Sequence, residues 1–221
     1  KGLESYWETY STGITDAGTA HVNLYSGDLV VDLPIFADSA QRMPFLYNLI
    51  YNSIDKRAGI SGNNHGHGWR SNILQTLTTS TEGNAKYKYV DADGTPHYII
   101  LEDGKYIDED GLGLTLTTSN GYVLEDENRT KYTFNTSSPG YLTKIEDTNG
   151  NQTTISHSDA KLTITSTGDN RVFTVNKNSS KWVKTFVDCF GKTTTFGYKN
   201  GKLISVTYPD SKATNITYTS N

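Results

Sequence analysis

Short turn signals recur along most of this chain and limit what it can fold into. From about residue 73, alternating apolar and polar runs are separated by Asp-Gly or Asn-Gly pairs every 8 to 12 residues. Such pairs favour tight hairpin turns of the primed type, because both central residues can adopt positive φ. No helical interval lies between the runs. The pattern therefore predicts an all-β, antiparallel meander of hairpins and excludes parallel α/β folds.

Composition supports an all-β fold and excludes some partners. The 221 residues include 15 Tyr and many Thr, Val and Ile, which pack well on pleated, half-exposed surfaces. The net charge is −4 and the Lys residues are scattered. This distribution offers no basic surface for nucleic acid or an anionic membrane. No apolar run approaches about 18 residues, so no membrane span is predicted.

The chain divides into two segments that differ in the regularity of their strand and turn pattern. Residues 1–72 form an irregular, β-rich segment with strand-like runs at 21–25, 28–33 and 45–51. Within it, Pro44 and the absence of a helical period favour strands over a helix. Residues 73–221 are a regular series of hairpins. We predict that the two segments form one continuous domain.

The second segment repeats a spacing of acid, glycine and ring. GYLTKIEDTNGNQTTISH (140–157) and KWVKTFVDCFGKTTTFGY (181–198) agree in register. An acid at a turn can accept backbone amide hydrogen bonds, glycine supplies a left-handed residue, and a ring covers the neighbouring strand. The spacing therefore predicts structural roles. The matched positions are Asp147 and Asp188, Gly150 and Gly191, and His157 and Tyr198.

Weaker copies of the spacing occur on both sides of this pair. In GKLISVTYPDSKATNITY (201–218), Asp210 is expected to occupy the turn and Tyr218 arrives two residues early. Two degenerate copies come earlier, with Asp91, Gly94 and Tyr98 in one and Asp126 and Tyr132 in the other.

The spacing Asp-x-x-Gly-(six residues)-Tyr resembles that of Rhs or YD-repeat proteins. The resemblance is strongest to the large secreted, wall-associated Rhs-type proteins of bacteria, with the animal teneurins as distant relatives. HVNLYSGDLVV, YNSIDKRAGISGNNHGHGWRSN, DADGTPHYI and DEDGLGLTL, in this order, resemble the region that precedes the repeats. The resemblance extends over residues 13–220. It departs from the family at His157, where Tyr is usual, and at Asp210, which no Gly follows.

The resemblance implies a twisted, curled β-sheet that forms part of a hollow shell. In that family the shell encloses or displays a C-terminal effector, such as a toxin domain. The chain would then be a non-enzymatic wall section from the N-terminal part of the repeat shell, secreted or at the bacterial cell surface. Its partners would be the rest of its own polypeptide. The family's self-cleaving segment has no match here, so no catalytic residue is implied.

The two ends of the chain also carry expectations. It starts at Lys1 without a signal-like apolar region and stops in the polar sequence YTSN, which favours a piece of a longer protein. A section cut from a continuous sheet would leave an open strand edge near residues 213–221. Such an edge is expected to pair with a second copy.

Metal binding is a competing interpretation. His65 and His67 in HGHGW stand two positions apart, but no third ligand is evident. DADGTPHYIILE has the spacing of a calcium loop, yet Pro96 replaces the glycine of its sharp turn. A solvated hairpin tip is favoured in each case, so no cofactor is predicted. The weak calcium candidates are Asp91, Asp93, Asp108 and Asp110.

The alternative function is a carbohydrate-binding or adhesion module of an extracellular protein. Trp7, Trp69 and Trp182 could form an aromatic platform for cell-wall or host glycans. The favoured interpretation places Trp69 and Trp182 in the core.

Cys189 is expected to be an inert, half-buried residue, since no base is evident beside it. No sequence element assembles a hydrolytic nucleophile, so an enzyme is not predicted.

Overall fold

A computed structural model describes residue 3 and residues 8–14, 18–38, 42–55 and 64–219. These residues form antiparallel strands and one turn of 3₁₀ helix at Ser53–Asp55, with no α-helix among them. The all-β, antiparallel prediction is confirmed. The strands are β1 (Thr9–Gly13), β2 (Thr19–Asn23), β3 (Leu29–Ala37), β4 (Leu46–Asn52), β5 (Trp69–Ser71), β6 (Thr76–Thr79), β7 (Tyr87–Val90), β8 (Pro96–Glu102), β9 (Lys105–Asp108), β10 (Thr115–Thr117), β11 (Tyr122–Glu125), β12 (Lys131–Phe134), β13 (Gly140–Glu146), β14 (Gln152–His157), β15 (Lys161–Ser166), β16 (Arg171–Lys177), β17 (Val183–Val187), β18 (Thr193–Lys199), β19 (Lys202–Thr207) and β20 (Ala213–Asn215).

The first five strands form one sheet in chain order. Residues 42–52 are not helical, as the sequence predicted, and β4 pairs with both β3 and β5. Pro34 has no N–H to give to the ladder, and the register of β3 against β4 shifts between Pro34 and Phe36. The sheet ends at Ser71, and β6 begins the second sheet at Thr76.

The second sheet contains β6 to β20 and closes on itself in its first half. Strand β13 pairs with β12 on one side, and its first residues pair with β6 on the other. Strands β6 to β13 therefore form a closed ring of eight strands. The closure requires a glycine, because a Cβ on Gly140 would lie 2.4 Å from the Asn135 carbonyl oxygen and 2.9 Å from that of Leu77.

Apolar side chains fill the ring. Leu77, Ile99 and Leu124 are fully buried on three of its strands. The rings of Tyr89 on β7 and Phe134 on β12 meet with centroids 5.8 Å apart, although their strands are not neighbours. Alternation along each strand supplies these inward positions, which the sequence pattern predicted.

The remaining strands extend from the ring as an open sheet. The last residues of β13 pair with β14, and β14 to β20 continue in chain order. One face of this extension packs against the first sheet. The Phe45 and Phe173 rings lie 4.4 Å apart, and Tyr47 stacks on Phe186 at 4.5 Å. Buried side chains of both sheets therefore belong to one hydrophobic cluster.

Candidate functional site

Six turns in the described part of the chain share one backbone geometry. In each, the N–H of the first residue donates to the carbonyl of the fifth, and the N–H of the fourth donates to the carbonyl of the first. The fourth residue has positive φ, as in a type I turn followed by a bulge residue. The first residues are Asp91, Asp126, Asp147, Asn178, Asp188 and Tyr208.

The acids of the repeat serve as acceptors inside these turns. Oδ1 of Asp188 accepts the N–H groups of Phe190 and Lys192 at 2.8 and 2.9 Å. Oδ1 of Asp147 accepts those of Asn149 and Asn151 at the same two distances. The Asn151 side-chain amide, together with these backbone groups, lowers the pKa of Asp147. The carboxylates are therefore held as turn acceptors, the role that the sequence predicted for them.

The turn type differs from the prediction at most of these sites. Primed two-residue turns occur at Asp103–Gly104, with φ of 47° and 77°, and at Asn200–Gly201, with φ of 50° and 79°. At Gly150 and the other acid-started turns only the fourth residue has positive φ. A type I turn followed by a bulge residue needs a single left-handed residue, at the fourth position, whereas a primed two-residue turn needs two.

The rings of the repeat bind backbone carbonyls. Nε2 of His157 donates to the Leu142 oxygen, and the Tyr198 hydroxyl donates to the Val183 oxygen, each at 2.7 Å. In both cases the carbonyl lies where the strand register shifts by one residue. Burial lowers the pKa of His157, while its bond to Leu142 acts to raise it. His157 thus replaces Tyr without changing the contact.

In the third copy of the repeat, residues 201–218, the turn starts at a different residue from the one that the sequence predicted. Asp210 was expected to start the turn, but Tyr208 starts it and Ser211 takes the left-handed position with φ of 67°. Tyr218 is then ten residues after the first turn residue, as in the two clear copies. Its hydroxyl donates to the Leu203 oxygen at 2.7 Å, again at a register shift. The prediction that Tyr218 comes two residues early is therefore wrong.

Asn178 is a turn-starting residue that the sequence analysis did not identify. Its Oδ1 accepts the N–H groups of Ser180 and Trp182 at 2.9 and 3.0 Å. The signal was present, since Asn can make the same bonds as Asp. The turn lacks both the acid and the glycine of the repeat, because Asn178 starts it and Lys181 occupies the left-handed position with φ of 65°.

His65 lies in the core rather than in a metal site. The side chain is 0% exposed, and Nε2 lies 2.9 Å from the Tyr47 hydroxyl. Nδ1 lies 3.2 Å from the hydroxyl of Tyr198, which already donates to Val183 and so accepts from His65. Burial lowers the pKa of His65 to about 3 and keeps the ring neutral. Both ring nitrogens of His65 are engaged, and the His67 backbone N–H donates to the Gly201 oxygen at 2.8 Å.

The weak calcium candidates divide between two loops. Asp91 accepts Thr95 N–H and lies 3.1 Å from Nε2 of His97. Burial acts to raise the pKa of Asp91, but hydrogen bonding with His97, Asp93 and Thr95 and the charge of His97 together lower it. Both oxygens of Asp108 accept backbone amides of its own loop, at 2.5 and 2.6 Å.

The other two candidates have similar protein contacts. Asp93 accepts Thr95 N–H and Oγ1, and Asp110 lies 3.7 Å from Nδ1 of His97. The described residues contain no group of three or more His, Cys, Asp or Glu side chains placed to hold a metal ion.

The two tryptophans in the described part of the chain each pack against other aromatic rings. Trp69 is 4% exposed, and its Nε1 donates to the Tyr218 hydroxyl at 2.9 Å. Trp182 is half-buried and packs on Tyr198, with ring centroids 5.2 Å apart. Trp7 lies outside the described residues, as does segment 56–63 of one family-like motif. The structure therefore brings Trp69 together with Tyr218, a pairing that the sequence did not indicate.

Cys189 occupies the second position of the turn that Asp188 starts. It is half-buried and unpaired, and burial raises the pKa of its thiol. A raised pKa disfavours the thiolate that nucleophilic chemistry requires.

A cleft of about 740 Å³ opens beside Trp69. Its walls come from β3, β4 and β5 of the first sheet and from the end of the chain after β20. Tyr51, Trp69 and Tyr218 are the aromatic residues of its lining.

The described part of the chain has no apolar helix of membrane-spanning length. Comparison with known proteins gives no match: neither a protein-family model nor a curated protein matches the sequence. Family membership therefore stays a prediction drawn from the motifs.

Proposed function

We propose that the chain is a non-enzymatic section of the wall of a large bacterial repeat protein of the Rhs or YD type. In this proposal the protein is secreted or at the cell surface, and its curled sheet encloses or displays a C-terminal effector domain. The chain then binds the rest of its own polypeptide and needs no cofactor.

One observation carries the proposal: the recurring acids and rings of the repeat make hydrogen bonds to turns and strands of the sheet itself. The Asp147 and Asp188 carboxylates bind turn amides, and the His157 and Tyr198 rings bind strand carbonyls. The same contact recurs at Tyr218, where the acid is missing. A repeat whose acids and rings bind the backbone of its own turns and strands supports a building role.

The alternative function is a carbohydrate-binding or adhesion module, and the two described tryptophans of its expected aromatic platform are engaged within the protein. Trp69 is in the core and Trp182 packs on a tyrosine. A ligand role would have to rest on the cleft instead.

The test is the complete gene product. We expect the reading frame to continue beyond Asn221 with further Asp-x-x-Gly-(six residues)-Tyr copies and a separate C-terminal domain. Cryo-electron microscopy of the purified product should then show these strands in the wall of a closed shell. A product without further copies, or with this section outside any shell, would overturn the proposal.

A further inference from the structure

A buried histidine lies at the joint between the two sheets. His65 belongs to the segment just before β5, and its side chain is 0% exposed. On one side of it the Asn64 oxygen accepts from the Val183 N–H, and on the other the His67 N–H donates to the Gly201 oxygen, each at 2.8 Å. The segment therefore connects the first sheet to β17 and to the turn between β18 and β19.

The hydrogen bonds of the His65 ring determine which of its nitrogens carries the proton. The Tyr198 hydroxyl donates its single hydrogen to the Val183 oxygen, so it accepts from Nδ1–H of His65 at 3.2 Å. The other nitrogen, Nε2, then has no proton and accepts from the Tyr47 hydroxyl at 2.9 Å. Since Tyr47 lies on β4 and Tyr198 on β18, the neutral ring connects one strand of each sheet.

The protonated form of His65 does not fit this arrangement. A second ring proton would lie on Nε2 and remove the acceptor that the Tyr47 hydroxyl uses. The titratable groups that contact the ring are the phenols of Tyr47 and Tyr198; burial raises the pKa of both, so they stay uncharged in acid. Phe196 packs edge-on, with ring centroids 4.6 Å apart. Among the described residues no carboxylate pairs with His65, so a charge on its ring would be buried without compensation.

Burial therefore couples opening of the joint to uptake of a proton. It lowers the pKa of His65 to about 3, against 6.5 for a histidine in water. When the joint opens and the ring reaches water, the ring takes up a proton from the solvent. Between these two pKa values, each unit of falling pH favours the open state about tenfold more. The effect is absent above the higher pKa and complete below the lower one.

We propose that His65 is an acid-sensitive latch between the first sheet and the second. Acidification separates β4 and the segment around His65 from β17 and β18. The eight-strand ring stays closed, because the pairing of β13 with β6 involves none of these residues. The latch depends only on contacts within the chain and is independent of the wall function proposed above.

Amide hydrogen exchange of the complete chain measures the opening. The N–H groups of Val183 and His67 close the joint, whereas the Leu142 N–H, which donates to the Gln75 oxygen at 3.1 Å, reports on the ring. After correction for the intrinsic effect of pH, protection of the first two should fall by up to about tenfold per pH unit between about pH 6 and about pH 4. Protection of Leu142 should persist.

Two outcomes of this measurement would contradict the latch. Protection of the Val183 N–H that does not change with pH would overturn it. An equal loss of protection at Leu142 would also overturn it, because the whole chain would then unfold instead of opening at the joint.

Variants assign the opening to His65. His65→Gln keeps a donor and an acceptor on the side chain but cannot gain a proton, so protection of Val183 should lose its pH dependence even if the variant is less stable. His67→Gln is the matched control, because His67 lies two residues away in the lining of the cleft, and it should retain the dependence. Equal pH dependence in the two variants would overturn the proposal.

A measurement on the unmodified chain keeps the test decisive if His65→Gln does not fold. Exchange of the ring C2 hydrogen, followed by mass spectrometry, gives the pKa of each histidine. His65 should show no titration between about pH 5 and about pH 8, the range in which an exposed histidine titrates. A His65 that titrates within this range would show that its ring is not held neutral, and the latch would be refuted.

Discussion

At the residue scale, one backbone position in the repeated turn tolerates different residue types. Gly150 and Gly191 occupy it with φ of 79° and 76°, whereas Arg129, Lys181 and Ser211 occupy it with φ of 62° to 67°. A left-handed residue with a side chain costs about 1 kcal/mol, and less for Asn than for a β-branched residue. The turn is therefore fixed by its hydrogen bonds, and glycine lowers its cost.

Gly191 provides the test of this account. A Cβ at Gly191 would meet no atom within 4 Å, so a substitution changes only the backbone preference. We expect Gly191→Val to lower the thermal midpoint by several degrees, for a cost of about 1–2 kcal/mol. Gly191→Asn is the control and should melt close to the unmodified protein. Thermal denaturation followed by circular dichroism measures both, and an unchanged Val variant would mean that the turn is misassigned.

At the element scale, a ring and a register shift occur together. Strands β13, β17 and β19 each carry one extra residue against a neighbour, at a shift that involves Leu142, Val183 or Leu203. A shift interrupts the ladder, so a carbonyl there needs another partner. The ring ten residues after the turn start supplies it in all three strands.

Tyr198 is the most connected of these rings. Tyr198→Phe removes the hydroxyl that donates to the Val183 oxygen and accepts from His65 Nδ1. Both of these atoms then lose a hydrogen-bond partner. We expect the free energy of unfolding to fall by about 1–3 kcal/mol. Urea denaturation measures this value. Tyr208→Phe is the control, because no described residue binds the Tyr208 hydroxyl, and equal stabilities of the two variants would contradict the proposed contact.

At the scale of the whole molecule, the two sheets share a core, and the last described strand lies at an edge. Among the strands that the structure describes, β20 pairs with β19 alone. The Lys212 oxygen and Ile216 N–H bind across to β19, so alternation directs the backbone groups of Ala213 and Asn215 away from it. An open edge of this kind can pair with a second copy.

We predict that the purified chain self-associates through β20. Static light scattering should show a mass that grows with concentration, and Asn215→Pro should reduce this growth because it removes an outward donor. Thr214→Pro serves for comparison, since its N–H faces β19 and its loss should lower the thermal midpoint. A chain that stays monomeric at high concentration would contradict the prediction.

The sequence by itself determined the local structure. It placed the strands, the antiparallel pairing and the roles of Asp147, Asp188, Gly150 and Gly191, because a hairpin is formed by residues close together in the chain. Even there, it assigned the wrong turn type, since primed and bulged turns use the same Asn-Gly and Asp-Gly pairs. It also missed Tyr208, which starts a turn through backbone hydrogen bonds alone.

Only the tertiary structure decided how distant strands meet. The closure of β13 onto β6, the burial of His65 between Tyr47 and Tyr198, and the cleft beside Trp69 all join separate parts of the chain. Trp69 and Tyr218 are 149 residues apart in sequence, yet Trp69 Nε1 lies 2.9 Å from the Tyr218 hydroxyl oxygen. No short-range pattern encodes such contacts, because they arise from the packing of two whole sheets on one another.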